Sequence, residues 1–257
     1  MGALQHQRGF QSGQQRGGQY PDKLKELQDA FDIEAKKYNV YPFDSSMASR
    51  LDPSIRPSLT RGRTEFTYYP GMVRIPEGSA PDFKNKSWAV AAEVTIPDKG
   101  DASGVLATIG GRFGGWALLM HDGKPQFVYA LSNQPQHKFR IASDQALSPG
   151  NHVVRLQFKY DGGGIGKGAT GTLFVDGQQV AQGQIPQTAA VRFSLDETFD
   201  VGEDTGTPVV EDYADKMTYP FTGTLKKFVV VLEPEKLTDE ERKRLREEEA
   251  KAFMAVQ

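Results

Sequence analysis

The fold is decided by residues 147–183, which read LSPGNHVVRLQFKYDGGGIGKGATGTLFVDGQQVAQG. A Pro-Gly turn signal at 149–150 precedes residues 153–160, whose β-branched and aromatic composition is typical of a strand. Asp176-Gly177 is the dipeptide of a two-residue type I′ hairpin, because both central residues of that turn need positive φ. The stretch therefore predicts a long strand, a loop and a hairpin inside an antiparallel sheet.

The same signals recur along most of the chain. Asp122-Gly123 predicts a second hairpin of the same kind, and 27 glycines and 15 prolines suit a fold with many turns. We predict strands at residues 73–75, 88–96, 104–109, 116–120, 126–131, 138–142, 153–160, 171–175, 178–184, 193–195 and 221–232. Many short strands with frequent turns predict a mainly β protein, a jelly roll or related sandwich over residues 71–232.

The two ends of the chain have a different composition. Residues 1–20 are rich in glutamine and glycine and nearly free of apolar side chains, so we predict a disordered tail. Residues 21–70 predict an amphipathic helix at 22–38 followed by a proline-rich strap. Residues 233–257 predict a charged helix, with Thr238 and Glu241 at the spacing of a capping box.

The predicted N-terminal helix carries an apolar stripe. Leu24, Leu27 and Phe31 recur at helical spacing and share one face. A stripe of this kind is too apolar to face water along its whole length. We therefore expect this face to pack on the sandwich, on a partner or on a second copy of the chain.

Composition argues against several functional classes. The 257 residues carry a formal net charge of −2, so no global positive field attracts nucleic acid or an anionic membrane. The absence of cysteine excludes disulfides, thiolate metal sites and a cysteine nucleophile. No apolar run is long enough to predict a membrane span, and the first twenty residues lack the apolar core of a signal peptide. We expect a cytoplasmic location unless the chain derives from a longer precursor.

Several stretches together resemble one protein family. The chain looks like the C-terminal portion of long bacterial arylsulfatases, and the likeness covers residues 22–232. The resemblance implies a concanavalin-A-like jelly roll for the sandwich. It rests on PDKLKEL at 21–27, YNVYP at 38–42, PSLT at 57–60, RTEFTYYPGM at 63–72, GGRFGGW at 110–116, the glycine loop at 160–168 and SLDETFDVGEDTG at 194–206.

The catalytic features of that family have no counterpart in this sequence. Sulfatases make their nucleophile from the Cys or Ser of a Cys/Ser-x-Pro-x-Arg motif. Cysteine is absent, and the candidate beginning at Ser54 has Arg56 and Pro57 in the wrong places. We therefore name no catalytic residue and expect a non-catalytic accessory module, either a fragment or a free-standing relative. A partner of the helix face would then be a sulfatase catalytic domain. Two alternatives stay open: a lectin-like protein that binds glycans or sulfated ligands, and a subunit that completes a sulfatase active site.

Four residues are candidates for ligand binding. Trp116 follows Arg112 in a glycine-rich turn, and Tyr129 and His137 lie in or beside neighbouring predicted strands. An aromatic ring with cationic neighbours on a concave sheet is suited to hold a sugar or a sulfated ligand. The alternative is that Trp116 and Tyr129 are core residues, which is commoner for large aromatic side chains.

An acidic segment at 196–215 is a candidate for metal binding. It holds eight carboxylates and no lysine or arginine. Asp200, Glu203 and Asp204 predict a structural calcium ion, because hard cations take clustered oxygen ligands. The alternative is a solvated acidic loop with some carboxylates paired to arginines. The three-residue spacing of Glu197, Asp200 and Glu203 does not place them on one strand face, which argues against a glycosidase carboxylate pair.

Overall fold

The computed structural model describes residues 20–43 and 58–254. The chain divides into two compact units, residues 1–52 and 53–257, and each is described by itself. Residues 1–19 of the predicted tail and residues 44–57 of the predicted strap lie outside the described residues. Within the described ranges, no helix is both long and apolar enough to cross a lipid bilayer.

The first unit contains helix α1, Pro21–Lys37. Proline suits the first turn because its φ is already helical and its missing N–H would have no intrahelical partner there. Asp22 lies at the positive end of the helix dipole, and Lys36 and Lys37 lie at the negative end. Residue preference and charge placement therefore agree with the helix predicted at 22–38.

The apolar face of α1 is only partly used inside the first unit. The rings of Phe31 and Phe43 stack with their centroids 5.9 Å apart, and Tyr41 contacts Phe43 edge-on at 4.7 Å. Leu24 and Leu27 are exposed. Docking of this face on a partner or on a second copy stays a prediction.

The second unit is built on two six-stranded antiparallel sheets. Sheet A has the order β1-β12-β3-β8-β9-β10, and sheet B has the order β2-β11-β4-β5-β6-β7. The predicted mainly β jelly-roll sandwich is confirmed. In chain order the strands are β1 (Glu65–Tyr68), β2 (Ile75–Pro76), β3 (Trp88–Ile96), β4 (Gly104–Gly111), β5 (Gly114–His121), β6 (Lys124–Ala130), β7 (Lys138–Ala142), β8 (Gly150–Tyr160), β9 (Ala169–Val175), β10 (Gln178–Ile185), β11 (Thr198–Val201) and β12 (Thr224–Leu232).

Both predicted hairpins are present. Asp122 and Gly123 join β5 to β6 with φ values of 49° and 74°, and Asp176 and Gly177 join β9 to β10 with 51° and 82°. Positive φ at both central residues gives the turn a twist that matches the twist of the flanking strands. These turns fix the registers of β5 with β6 and of β9 with β10. The registers determine which side chains face each other on the outer surfaces of the two sheets.

The space between the sheets is filled by aromatic rings. Trp88 from sheet A stacks on Phe158 at 4.5 Å and on Trp116 from sheet B at 5.2 Å. Phe83 contacts both indoles edge-on, and Tyr129 stacks on Phe158 at 5.9 Å. Side chains of this size dominate the burial energy of a core.

Two predicted strand assignments are wrong. Residues 65–68, placed in the strap, form β1 and pair with β12, so the sandwich begins before residue 71. Residues 193–195 form no strand, because the Phe193 and Ser194 N–H groups donate to the partly buried Glu77 carboxylate instead of a sheet ladder. The strand of this region is β11, which pairs with β2 and β4.

The charged C-terminal helix is α2, Asp239–Met254. Its capping box is confirmed, since the Thr238 N–H donates to the Glu241 carboxylate at 2.7 Å and the Glu241 N–H donates to Thr238 Oγ1 at 3.2 Å. Leu237, immediately before the box, is buried. Thr238 and Glu241 alone therefore predicted the start of this helix correctly.

We predict that Trp116→Ala lowers the free energy of unfolding by about 3–5 kcal/mol, because it empties the centre of the aromatic core. Phe113→Ala on the same hairpin should change it by less than about 0.5 kcal/mol, since Phe113 is 65% exposed. Urea unfolding of both variants measures the difference. Equal losses would contradict the assignment of Trp116 to the core.

Candidate functional site

The outer face of sheet B is covered by its own chain. We call residues 202–220, which lie between β11 and β12, the clasp. Its buried side chains form a second apolar cluster with outward-facing residues of β4, β5 and β6, separate from the core between the sheets. The cluster comprises Val105, Ala117, Leu119, Val128, Ala130, Val209, Val210, Tyr213 and Tyr219.

A buried carboxylate holds the clasp in shape. Asp204 is 1% exposed, and it accepts hydrogen bonds from the Tyr213 hydroxyl at 2.8 Å and from the Gly206 N–H at 3.1 Å. The Tyr213 hydroxyl in turn accepts the Val209 N–H at 2.9 Å. Burial raises the pKa of Asp204 to about 7, and the nearby charges of Asp200 and Glu197 add to the shift.

A second buried carboxylate ties the clasp to β11. Asp200, also 1% exposed, accepts hydrogen bonds from Thr205 N–H and Oγ1, both at 2.7 Å, on one oxygen. Its other oxygen accepts from the Arg74 N–H and from Thr198 Oγ1. Four donors on one carboxylate satisfy most of its acceptor capacity. The chain therefore supplies the hydrogen-bond donors that a buried carboxylate needs.

The predicted calcium ligands are used for hydrogen bonding within the protein. The third of them, Glu203, accepts from Thr218 Oγ1 at 2.7 Å. Within residues 20–43 and 58–254, no group of three His, Asp or Glu side chains is arranged to hold a metal ion. Calcium binding by Asp200, Glu203 and Asp204 stays a hypothesis. Because their oxygens already accept hydrogen bonds within the chain, we expect calcium to have no effect on the melting temperature.

Cationic side chains line the rim of the clasp. We call Arg112, Lys138 and Arg140 the cationic rim. The Arg112 guanidinium donates to Glu211 at 2.7 and 3.0 Å in a bidentate pair, Lys138 Nζ lies 3.7 Å from the same carboxylate, and Arg140 pairs with Asp212. The hydrogen bond from Arg112 lowers the pKa of Glu211. Pairing of clasp acids with arginines, the stated alternative to calcium, is observed at these two carboxylates.

The four predicted ligand-binding residues are not brought together. Arg112 lies on the rim, and His137 is exposed with its Nδ1 2.8 Å from Ser132 Oγ. Trp116 and Tyr129 are register partners whose rings point between the sheets, where they are 0% and 2% exposed. Strand alternation directs these two rings to the opposite face from the clasp. The prediction that Trp116 and Tyr129 contact a ligand directly is therefore wrong. Both are core residues, as the alternative interpretation stated.

The outer face of sheet A is open along β8, β9 and β10. Three rungs of facing side chains cross these strands, and sequence reasoning did not single them out. The signal was available, because alternation in residues 153–160 sends Leu156 and Phe158 inward and their neighbours outward. The rungs are Arg155, Phe174 and Gln179; Gln157, Thr172 and Gln182; and Lys159, Thr170 and Gln184.

Some side chains of these rungs are available to a ligand, whereas Gln179 donates to Gln182 at 3.4 Å and Gln184 donates to Thr170 Oγ1 at 2.9 Å. Arg155, Gln157 and Gln182 are exposed, and the Arg155 guanidinium lies 5.5 Å from the ring centre of the partly exposed Phe174. Within the described part of the chain, the side-chain polar groups of Gln157 and Thr172 have no protein hydrogen-bond partner. We call this surface, centred on Arg155, Phe174, Gln157 and Thr172, the open face.

No protein-family model and no curated protein matches the sequence. Among solved structures, the chain is similar to the Ruminococcus gnavus IT-sialidase CBM40 bound to α2,3-sialyllactose, with 15% identity, a TM-score of 0.42 and coverage of 68% of this chain and 95% of that chain. It is also similar to domains LG4-5 of the mouse laminin α1 chain, with 14% identity, a TM-score of 0.38 and coverage of 69% and 41%.

A third similar structure is the leech intramolecular trans-sialidase, with 14% identity, a TM-score of 0.41 and coverage of 72% of this chain and 28% of that chain. The second unit, residues 53–257, contains two packed antiparallel sheets, which form a concanavalin-A-like jelly-roll β-sandwich.

We predict a pH-dependent stability that depends on Asp204. Its pKa of about 7 in the folded chain lies above the ordinary value of 3.8, so its stabilising effect is complete below about pH 4 and is lost as the pH rises through 7. The free energy of unfolding should fall by about 2–3 kcal/mol between pH 5 and pH 8. Asp204→Asn should abolish that fall and Asp212→Asn should keep it, as measured by urea unfolding. A fall of the same size in Asp204→Asn would contradict the assignment.

We predict that Asp200→Ala destabilises the chain by about 2–5 kcal/mol, because buried donors lose their acceptor. The loss should be the same in calcium and in a chelator, and calcium should leave the melting temperature of the unmodified chain unchanged. Thermal melts measure both quantities. A calcium-dependent rise in the unmodified chain that disappears in Asp200→Ala would show that this carboxylate binds the metal.

Proposed function

We propose that this chain is a non-catalytic, lectin-like module that binds glycans on the open face of sheet A. The observation that carries the proposal is that Phe174 lies beside two polar side chains, Gln157 and Thr172, which have no hydrogen-bond partner among the described residues. Glycan recognition needs hydrogen-bonding groups that a sugar hydroxyl can reach and an apolar surface against which a sugar ring can pack. Gln157 and Thr172 supply the first requirement, and Phe174 supplies the second.

The side chains of the open face are positioned by the sheet. Arg155 and Gln157 alternate with the buried Val154, Leu156 and Phe158, so their backbone is fixed by the core below. Arg155 also lies over the ring of Phe174, which restricts both side chains. A surface prepared in this way loses less conformational entropy on binding than a flexible loop would.

The charges of the open face are compatible with neutral and with anionic sugars. Its three rungs carry two cations, Arg155 and Lys159, and no acidic residue. The remaining positions are amides and hydroxyls apart from Phe174. The surface is a strand face and not a closed pocket, so it suits an extended oligosaccharide that crosses several strands.

The outer face of sheet B is less suited to this role. Its apolar floor of Ala117, Val128 and their neighbours is buried under the clasp. A ligand could reach that floor only after the second apolar cluster opened. The open face requires no such rearrangement.

The proposal is compatible with the finer hypothesis of an accessory module of an arylsulfatase-type hydrolase. Two observations support that descent: the ordered resemblance over residues 22–232, and the presence of the sandwich that this resemblance implies. An accessory module that binds glycan would hold substrate near a separate catalytic domain. The alternative of a subunit that completes a sulfatase active site is tested by assaying aryl sulfate hydrolysis with and without a partner domain.

We predict that binding to a panel of neutral oligosaccharides and sialyllactose weakens about five- to tenfold in Phe174→Ala, and similarly in Gln157→Ala. Thr67→Ala is the matched control, because Thr67 is an exposed residue of β1 on the distant edge of sheet A. Titration calorimetry measures the affinities, and melting temperatures verify folding. Glycan binding that is equally strong in all variants would exclude the open face as the site, and no binding to any member would contradict the proposal.

We predict that the chain alone does not hydrolyse an aryl sulfate such as 4-nitrophenyl sulfate. The reason is that no cysteine is present and Ser54 is not in the required motif, so the formylglycine nucleophile cannot be made. Release of nitrophenol in the presence of calcium measures the activity. Turnover above the blank would contradict a non-catalytic role, and turnover only with an added partner domain would favour the subunit alternative.

A further inference from the structure

The cationic rim brings together three cations from two places in the sequence. Arg112 lies in the turn between β4 and β5, and Lys138 and Arg140 lie two residues apart on β7. Strand alternation puts Lys138 and Arg140 on the same face, and their register partners Ala130 and Val128 belong to the cluster under the clasp. Sequence patterns could not show this convergence.

The cations are held by rigid parts of the structure. The Arg112 N–H donates to Thr207 Oγ1 at 3.1 Å, and the turn around it is tightly packed: a Cβ on Gly110 would lie 2.1 Å from the Gly114 carbonyl oxygen. Arg140 donates to the buried side chain of Gln126 at 2.6 Å. The contact with Gln126 fixes the guanidinium of Arg140 before any ligand arrives, whereas the packed turn fixes the backbone of Arg112.

The acids opposite them are held less firmly. Glu211 and Asp212 begin a six-residue 3₁₀ helix, Glu211–Lys216, that has no side-chain cap, and their side chains are 58% and 42% exposed. Ion pairs with this exposure contribute little to stability, about 0–1 kcal/mol. The acids can therefore leave the cations without unfolding the clasp, whose attachment depends on Asp200, Asp204 and the apolar cluster.

The carboxylate of Glu211 has the geometry of a bound oxyanion. Two nitrogens of Arg112 donate to its two oxygens, and Lys138 Nζ lies 3.7 Å from one of them. The same fork of donors fits two oxygens of a sulfate ester or of a sugar carboxylate. With three cations and two acids, the rim keeps one unbalanced positive charge.

We propose that Arg112, Lys138 and Arg140 form a binding site for the anionic groups of an acidic polysaccharide, and that Glu211 and Asp212 occupy this site in the unliganded chain. The ligand would replace the two acids on the arginines, and the acids would turn into solvent. This site lies on sheet B and does not depend on glycan binding at the open face.

The test uses a heparin-derived hexasaccharide and titration calorimetry at low salt. Glu211→Gln combined with Asp212→Asn should raise the affinity about tenfold or more, because the competing acids are removed. Arg112→Gln combined with Arg140→Gln should lower it by at least as much. Phe174→Ala should bind the hexasaccharide as the unmodified chain does, which separates failure of this proposal from failure at the open face.

A matched control distinguishes a specific site from a general charge effect. Glu240→Gln combined with Glu247→Gln makes the same change in net charge on the exposed surface of α2 and should alter the affinity by less than about twofold. An equal gain in both acidic double variants, or binding that persists without Arg112 and Arg140, would overturn the proposal.

Discussion

The structure of the second unit depends on burying both faces of sheet B. Strands β4, β5 and β6 carry apolar side chains on both sides, and nearly every residue of these strands is buried. The inner side packs on the aromatic core, so the outer side needs a cover of its own. The clasp supplies that cover, and two carboxylates are buried with it: Asp204 of the clasp and Asp200 of β11. Each is stabilised there by hydrogen-bond donors, and the raised pKa of Asp204 reflects its removal from water.

Because the outer face of sheet B must be covered, the two sheets differ in the surface that they offer to a ligand. The outer face of sheet B is covered by the clasp and carries the cationic rim, whereas sheet A presents polar side chains to solvent along β8–β10. An aromatic residue alone does not identify a sugar site, because Trp116 and Tyr129 are fully used by the core. Phe174 is smaller and less conspicuous in the sequence, but its ring is partly exposed and lies beside Gln157 and Thr172, which have no hydrogen-bond partner among the described residues. We therefore base the glycan-binding proposal on accessibility and unsatisfied hydrogen-bonding capacity.

Local signals in the sequence were sufficient for much of the fold. The two Asp-Gly hairpins and the Thr238–Glu241 capping box act over a few residues, and each was predicted correctly. The strand at 65–68 was missed because its pairing with β12 joins residues more than 150 positions apart. The face of Trp116 could not be assigned, since β4 and β5 are apolar on both sides and show no alternation. The pair of Arg112 with Glu211 also depends on the folded register, because 99 residues separate them.

The central claim is that the clasp closes sheet B and leaves sheet A as the surface for a neutral glycan. Amide chemical-shift mapping by NMR during titration with a neutral oligosaccharide that binds the chain tests it most directly. The account predicts that the largest shifts fall on β8, β9 and β10, around Gln157, Thr172 and Phe174, and that the amides of the clasp stay unchanged. Largest shifts on β5, β6 and residues 202–220, with β8–β10 unaffected, would contradict it.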